Sequence, residues 1–157
     1  MSQNPYAKYV EGRDLCCALE QTPAKIEQIV TAWDPAAFDR SHAPGKWTAR
    51  EVLVHLAQAE MVFSNRLRFA LAEKDYRVQP FDQDAWMTLE PDVDGYTALA
   101  AYLALRRMNV ALCKSLSPAQ RAKTFTHPQH GDISVEWVMT FFAGHDLNHL
   151  PQFEAIG

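Results

Sequence analysis

The chain lacks the marks of a membrane-spanning or secreted protein. No stretch approaches the roughly 18 consecutive apolar residues of a spanning helix, and the opening MSQNPYAKYVEGRD has no apolar run behind a basic start. A cytoplasmic location without a membrane partner is the expectation. Cysteine is scarce: Cys16, Cys17 and Cys113 are the only three. Their odd count and the adjacent pair exclude a disulfide framework, and their spacing does not suit a zinc knuckle. At least two are expected as small core residues. Positive charge is also short, with 15 Lys and Arg against 19 Asp and Glu and a net charge of −4. Basic residues cluster no further than pairs such as Arg106-Arg107, which leaves no footprint for a phosphate backbone and excludes nucleic acid as a partner. Internal repeats, low-complexity tracts, long linkers and sustained strand-like alternation are missing too.

What remains is a globular, helix-favouring chain. Its 157 residues, 48% hydrophobic and 22% charged, suffice for one domain over residues 1–157 with a core of its own. Ala, Leu, Glu, Gln and Arg fill the stretches between Pro and Gly, so the reading is all-α. Four main segments emerge. The first covers roughly residues 5–33, with a break where Thr22-Pro23 resembles an N-cap followed by Pro at the first helical position. The second starts at Thr48, which with Glu51 has capping-box spacing, and runs to about Glu73. The third starts near Asp92 to Asp94 and ends before Ser117-Pro118, with Tyr96, Leu99, Leu103, Arg106, Val110 and Cys113 on its inward stripe. A looser stretch from Thr124 to Ile133 precedes the fourth, which begins near Ser134. Four helices with one apolar face each predict a four-helix bundle.

Three of the six histidines fall on these inward stripes. His145 and His149 are four residues apart on the last helix, so both rings leave one face, one turn apart. This is the spacing by which one helix gives two ligands to one metal ion. His55 lies on the buried stripe of the second helix, three residues after Val52 and four before Ala59. Together they offer three imidazole ligands and an open coordination position; alternatively they hydrogen-bond to one another or to backbone. His42, His127 and His130 lie in connections, where a solvated side chain is expected. Gln152 is a candidate to orient a ligand imidazole, or a core amide. Arg106 is a candidate for a substrate carboxylate, or pairs its charge with a buried acid, the reading its position favours. Glu51 is better explained by the capping box than as a general base. Asp146, about 100° around the helix from His145, is expected to face solvent or an interface. Trp47, Trp86 and Trp137 are expected as packing residues.

Two segments carry a family resemblance. Trp47-Thr48-Ala49-Arg50-Glu51-Val52-Leu53-Val54-His55 is similar to the Trp-Ser/Thr-x-x-Glu-x-x-x-His signature of the DinB-like superfamily, and His145-Asp146-Leu147-Asn148-His149-Leu150-Pro151-Gln152 to its closing His-x-x-x-His-x-x-Gln signature. The weaker Phe81-Asp82-Gln83-Asp84-Ala85-Trp86 stretch resembles a linker often seen there. The resemblance implies a four-helix bundle of the DinB-like type with an unusual connection order. It also implies a divalent metal, zinc or nickel, on His55, His145 and His149. Family precedent points to a thiol S-transferase that joins a low-molecular-weight thiol (bacillithiol, mycothiol or glutathione) to an electrophilic substrate. The alternatives are a metal-dependent hydrolase and a non-catalytic metal- or small-molecule-binding stress protein. Dimerisation is common in the family, so a homodimer is a possible partner state.

Overall fold

The computed structural model describes residues 3–156; the termini of the expected domain, Met1, Ser2 and Gly157, lie outside the described residues. Four long helices dominate: α1 (Leu15–Thr31), α2 (Ala49–Ala72), α4 (Gly95–Ser115) and α6 (Val135–Glu154). Short helices α3 (Gln83–Met87) and α5 (Pro118–Ala122) and two 3₁₀ turns (Ala7–Tyr9 and Pro35–Asp39) lie between or before them. The chain is a four-helix bundle of the DinB-like type.

Each long helix begins where a side chain can satisfy an orphan amide. Asp14 accepts from the Cys17 amide, Asp94 from Thr97 and Ser134 from Trp137. At α2 both halves of the expected capping box form: Glu51 N–H donates to Thr48 Oγ1, and Thr48 N–H donates to Glu51 Oε2 at 2.7 Å. The first segment differs from expectation. Asp14 is its cap, and α1 runs unbroken through Pro23. A proline inside a helix leaves the carbonyl four residues back without its amide. Here that carbonyl, Leu19 O, accepts from Arg106 Nη1 of α4 at 3.2 Å, so the helix continues.

Both α1 and α2 pack on α4 and α6, so the order around the bundle is α1–α4–α2–α6. Consecutive helices α1 and α2 therefore face each other across the diagonal, joined by the long 32–48 connection. The core has two apolar halves, one around Leu19, Phe63, Met139 and Phe142, the other around Ile26, Leu53, Tyr102 and Phe153. A polar layer at Glu60, Arg106, Asn109 and Asp146 separates them.

The looser stretch is a β-hairpin. β1 (Thr124–His127) pairs antiparallel with β2 (Gly131–Ser134), with Phe125 opposite Ile133. Strands of four residues are too short for alternation to stand out, but Phe125 and His127 do turn inward together. Burial of His127, 4% exposed, corrects the expectation of a solvated loop histidine. His42 and His130 are half-buried. Tyr96, read as inward, is 49% exposed and lies against the Phe38 ring at the start of α4. Cys16 and Cys113 are buried and Cys17 is exposed, as anticipated. No helix among the described residues is long and apolar enough to cross a membrane.

Candidate metal centre

The three inward histidines meet where α2 and α6 touch. His55 Nε2 lies 3.0 Å from His145 Nε2, and His149 Nε2 lies 3.2 Å from the same atom. The potential ligand atoms all fall within 4.8 Å of one another. Imidazole nitrogens about 2.0–2.1 Å from one tetrahedral zinc stand about 3.3 Å apart, so the triad has the span of one coordination sphere. The proton arrangement also fits a cation. The Gln152 amide oxygen can only accept, so His149 Nδ1, at 2.9 Å, carries the ring proton and Nε2 keeps its lone pair. A proton on His145 Nε2 could bridge to one neighbour and would leave the other contact unmade. A divalent cation satisfies all three.

The environment keeps the His55 and His149 rings neutral, the form that binds metal. Burial, then the neighbouring His145 and His149, pushes His55 down to about 2. Burial and His145 lower His149 to about 4, with Gln152 pulling slightly the other way. The rings are clamped by aromatic neighbours. Tyr6 meets His145 edge-on at 5.4 Å, and Phe141 lies nearly parallel to it at 6.3 Å. Trp47 sits 5.1 Å from His55. Tyr6 reaches the site because residue 144 is glycine: a Cβ there would lie 2.3 Å from the Tyr6 carbonyl oxygen. Tyr9 Oη, donating to Asn148 Oδ1 at 2.7 Å, holds the same N-terminal segment along α6.

Two openings reach the triad. A cavity of about 150 Å³ has His55 and His145 in its wall, with Tyr6, Arg66, Phe81 and His127 around them. A second, of about 290 Å³, reaches His149 and Gln152 past His42, Lys46 and Trp47. Gln83 lines both. A further groove, about 340 Å³ between α1 and α4, lies elsewhere.

Asp146 departs from expectation. It is 1% exposed, because α6 has neighbours on several sides and 100° of rotation moves a side chain from one packed face to another. Its Oδ2 accepts from Arg106 Nη1 at 2.5 Å and from Tyr102 Oη at 2.7 Å. Its Oδ1 faces His145 Nδ1 at 3.6 Å, too far for a hydrogen bond. Burial, the largest influence, would raise the Asp146 carboxyl, but Arg106 and His145 together outweigh it and hold the group at about 2. Arg106 Nη2 also meets Glu60 Oε2 at 2.6 Å, and Asn109 Nδ2 donates to Glu60 Oε1 at 2.7 Å. Arg106 thus takes the structural role its stripe position favoured. Glu60 and Arg66 were not anticipated. Arg66 is eleven residues after His55, three helical turns on, and that interval would have placed both on one face.

The DinB superfamily matches residues 18–153. The chain belongs to that superfamily. Similar sequences include YfiT of Bacillus subtilis, 30% identical over 135 residues (84% of this chain and 76% of that one), and OB0782 of Oceanobacillus iheyensis, 29% identical over 139 residues (88% and 81%). Both carry the name of a metal-dependent hydrolase. The solved structure of YfiT aligns with a TM-score of 0.80 and 26% identity over 99% of this chain and 87% of that one, and its four-helix bundle topology is described as unusual. A mycothiol-dependent maleylpyruvate isomerase shares the fold, with a TM-score of 0.72 and 11% identity over 88% of this chain and 59% of that one.

Proposed function

We propose that this DinB-superfamily chain is a metal-dependent enzyme that transfers a low-molecular-weight thiol to an electrophilic small molecule, with His55, His145 and His149 as the metal ligands. The observation that carries this is the convergence of three buried Nε2 atoms, with His55 and His145 in the wall of a cavity whose described lining residues include no Asp or Glu. A divalent ion, zinc or nickel, held there would supply Lewis acidity that makes a thiol acidic enough to react near neutral pH. Gln152 fixes the His149 tautomer, and Tyr6 and Phe141 hold the His145 ring. The thiol proton leaves to solvent, a sulfur–carbon bond forms, and with a haloaromatic acceptor the halide departs with its electron pair. Similarity to a mycothiol-dependent protein supports the thiol.

Hydrolysis is the second reading, supported by the names of the YfiT-like relatives. It needs a general base, and the carboxylates near the triad are committed: Glu51 to the α2 cap and Asp146 to Arg106 and Tyr102. His127 and His130 on the cavity wall are the remaining candidates. The test is metal analysis of untagged protein beside His149→Ala, followed by assays of bacterial thiols with a haloaromatic or epoxide acceptor. Near one equivalent of metal, lost in the variant, with metal-dependent conjugation is expected. Metal-dependent ester or amide cleavage without thiol, and no conjugation, would replace this reading with hydrolysis. Ligand binding without turnover would leave a binding protein.

A further inference from the structure

We infer that Arg66 forms an anion-binding site in the wall of the metal cavity, and that this site selects substrates bearing a carboxylate. Arg66 is 8% exposed, yet no acidic group lies within ion-pair distance among the described residues. Its buried Nε has no hydrogen-bond partner. A buried guanidinium without a counter-charge carries a desolvation cost that protein packing normally offsets with a carboxylate. Arg106, one layer away, shows that solution with Glu60 and Asp146. Arg66 instead lines the cavity that holds His55 and His145, whose described walls contain no Asp or Glu.

The positive group shares its cavity with the candidate metal centre. His55, Ala59 and Arg66 all line the cavity from α2. Eleven residues are about 16 Å of helix rise and about three turns, and helical side chains lean toward the N-terminus, here toward His55. The neighbours of the guanidinium are hydrogen-bonding groups without negative charge. Burial raises the Tyr76 hydroxyl above its usual range, with Arg66 opposing, so it is neutral near pH 7. Burial, then Arg66, then His130 push His127 down to about 4, so His127 is uncharged there as well. Gln83 and Gln129 complete the polar part of the lining, while Phe81, Phe141 and Trp137 supply apolar wall. A planar carboxylate matches the guanidinium fork, and an apolar body matches the rings. The binding site stands on the Arg66 environment alone; its role in selecting substrate rests on the proposed enzyme.

The test titrates succinate, its neutral analogue succinamide and inorganic phosphate into the protein, read by amide and side-chain NMR shifts. Parent, Arg66→Gln and Arg66→Lys are compared, each as isolated and after chelation of metal. Succinate is expected to bind the parent better than succinamide. Its affinity should fall about 10–100-fold in Arg66→Gln, the scale of a charge-assisted hydrogen-bond pair, and by a smaller factor in Arg66→Lys, which keeps the charge but loses the bidentate fork. The Arg66 dependence should appear with and without metal, so a protein that holds no metal would defeat the enzyme reading and leave this comparison intact. Equal succinate affinity in parent and Arg66→Gln would overturn the site. So would a dependence seen only with metal, or phosphate binding that exceeds succinate. If Arg66→Gln fails to fold, equal binding of succinate and succinamide by the chelated parent still overturns it.

Discussion

Two buried polar clusters lie on adjacent faces of α6, about 100° apart, and consecutive residues belong to them. Asp146 joins Arg106, Glu60, Asn109 and Tyr102, where the charged groups meet opposite charges and the donors find acceptors. His145 joins His55 and His149 beside Arg66, and there His55 Nδ1, His145 Nδ1 and Arg66 Nε have no hydrogen-bond partner. The first cluster is closed and has no need of anything from outside. The second is incomplete as a piece of protein: a cation would satisfy the three converging Nε2 atoms, and an anion would satisfy the Arg66 guanidinium. Burial of charge alone therefore does not mark a site in this fold, because the Arg106 cluster is buried and self-sufficient.

The sharpest way to break this contrast is to cut each cluster at its arginine. Arg106→Met leaves Glu60 and Asp146 buried without a cation and should cost about 3–5 kcal/mol in urea unfolding. Arg66→Met removes a buried charge that has no ion pair, and its stability should stay within about 1 kcal/mol of the parent. Similar losses for both would erase the distinction.

Within the open cluster, Gln152→Ala releases the His149 tautomer and should weaken zinc or nickel affinity about 10–100-fold in a competition titration, with the fold unchanged by circular dichroism. Gly144→Ala should cost about 1–3 kcal/mol by overpacking against the Tyr6 backbone, and the Tyr9–Asn148 bond should loosen, visible as faster amide exchange in residues 6–10.

The smallest effect is a titration. In Arg66→Gln the His127 pKa should rise from about 4 toward 6.5, followed by its ring proton shifts. The folded value in the parent is depressed. Its contribution to stability is therefore complete above about 6.5 and lost as the pH falls through about 4. The variant should lose less over that window. An unmoved His127 would mean that burial and His130 depress it without Arg66.

Much of this was legible in sequence because local chemistry set it. Thr48 and Glu51 mark the start of α2 whatever surrounds it, and the 145–149 spacing places two rings on one face of any helix. The inward position of Arg106 foretold a paired charge. What escaped depends on several elements at once. Asp146 is buried because neighbours surround α6 on more than one side, which a single apolar stripe does not reveal. The break expected at Pro23 failed to appear because the missing bond is replaced from α4. The hairpin strands are four residues each, and His127 owes its burial to the bundle they lie against.

Pro23 also bears on how this protein could be engineered. Exchanging a helix proline for alanine is an obvious route to a sturdier variant, since an interior proline usually weakens its helix by about 3 kcal/mol. At position 23 the new alanine amide would compete with Arg106 for the Leu19 carbonyl. Whatever α1 gained in its own ladder would be drawn from the bond that ties it to α4. A thermostability screen that scored α1 by itself would favour this exchange first, although it loosens the tie between helices.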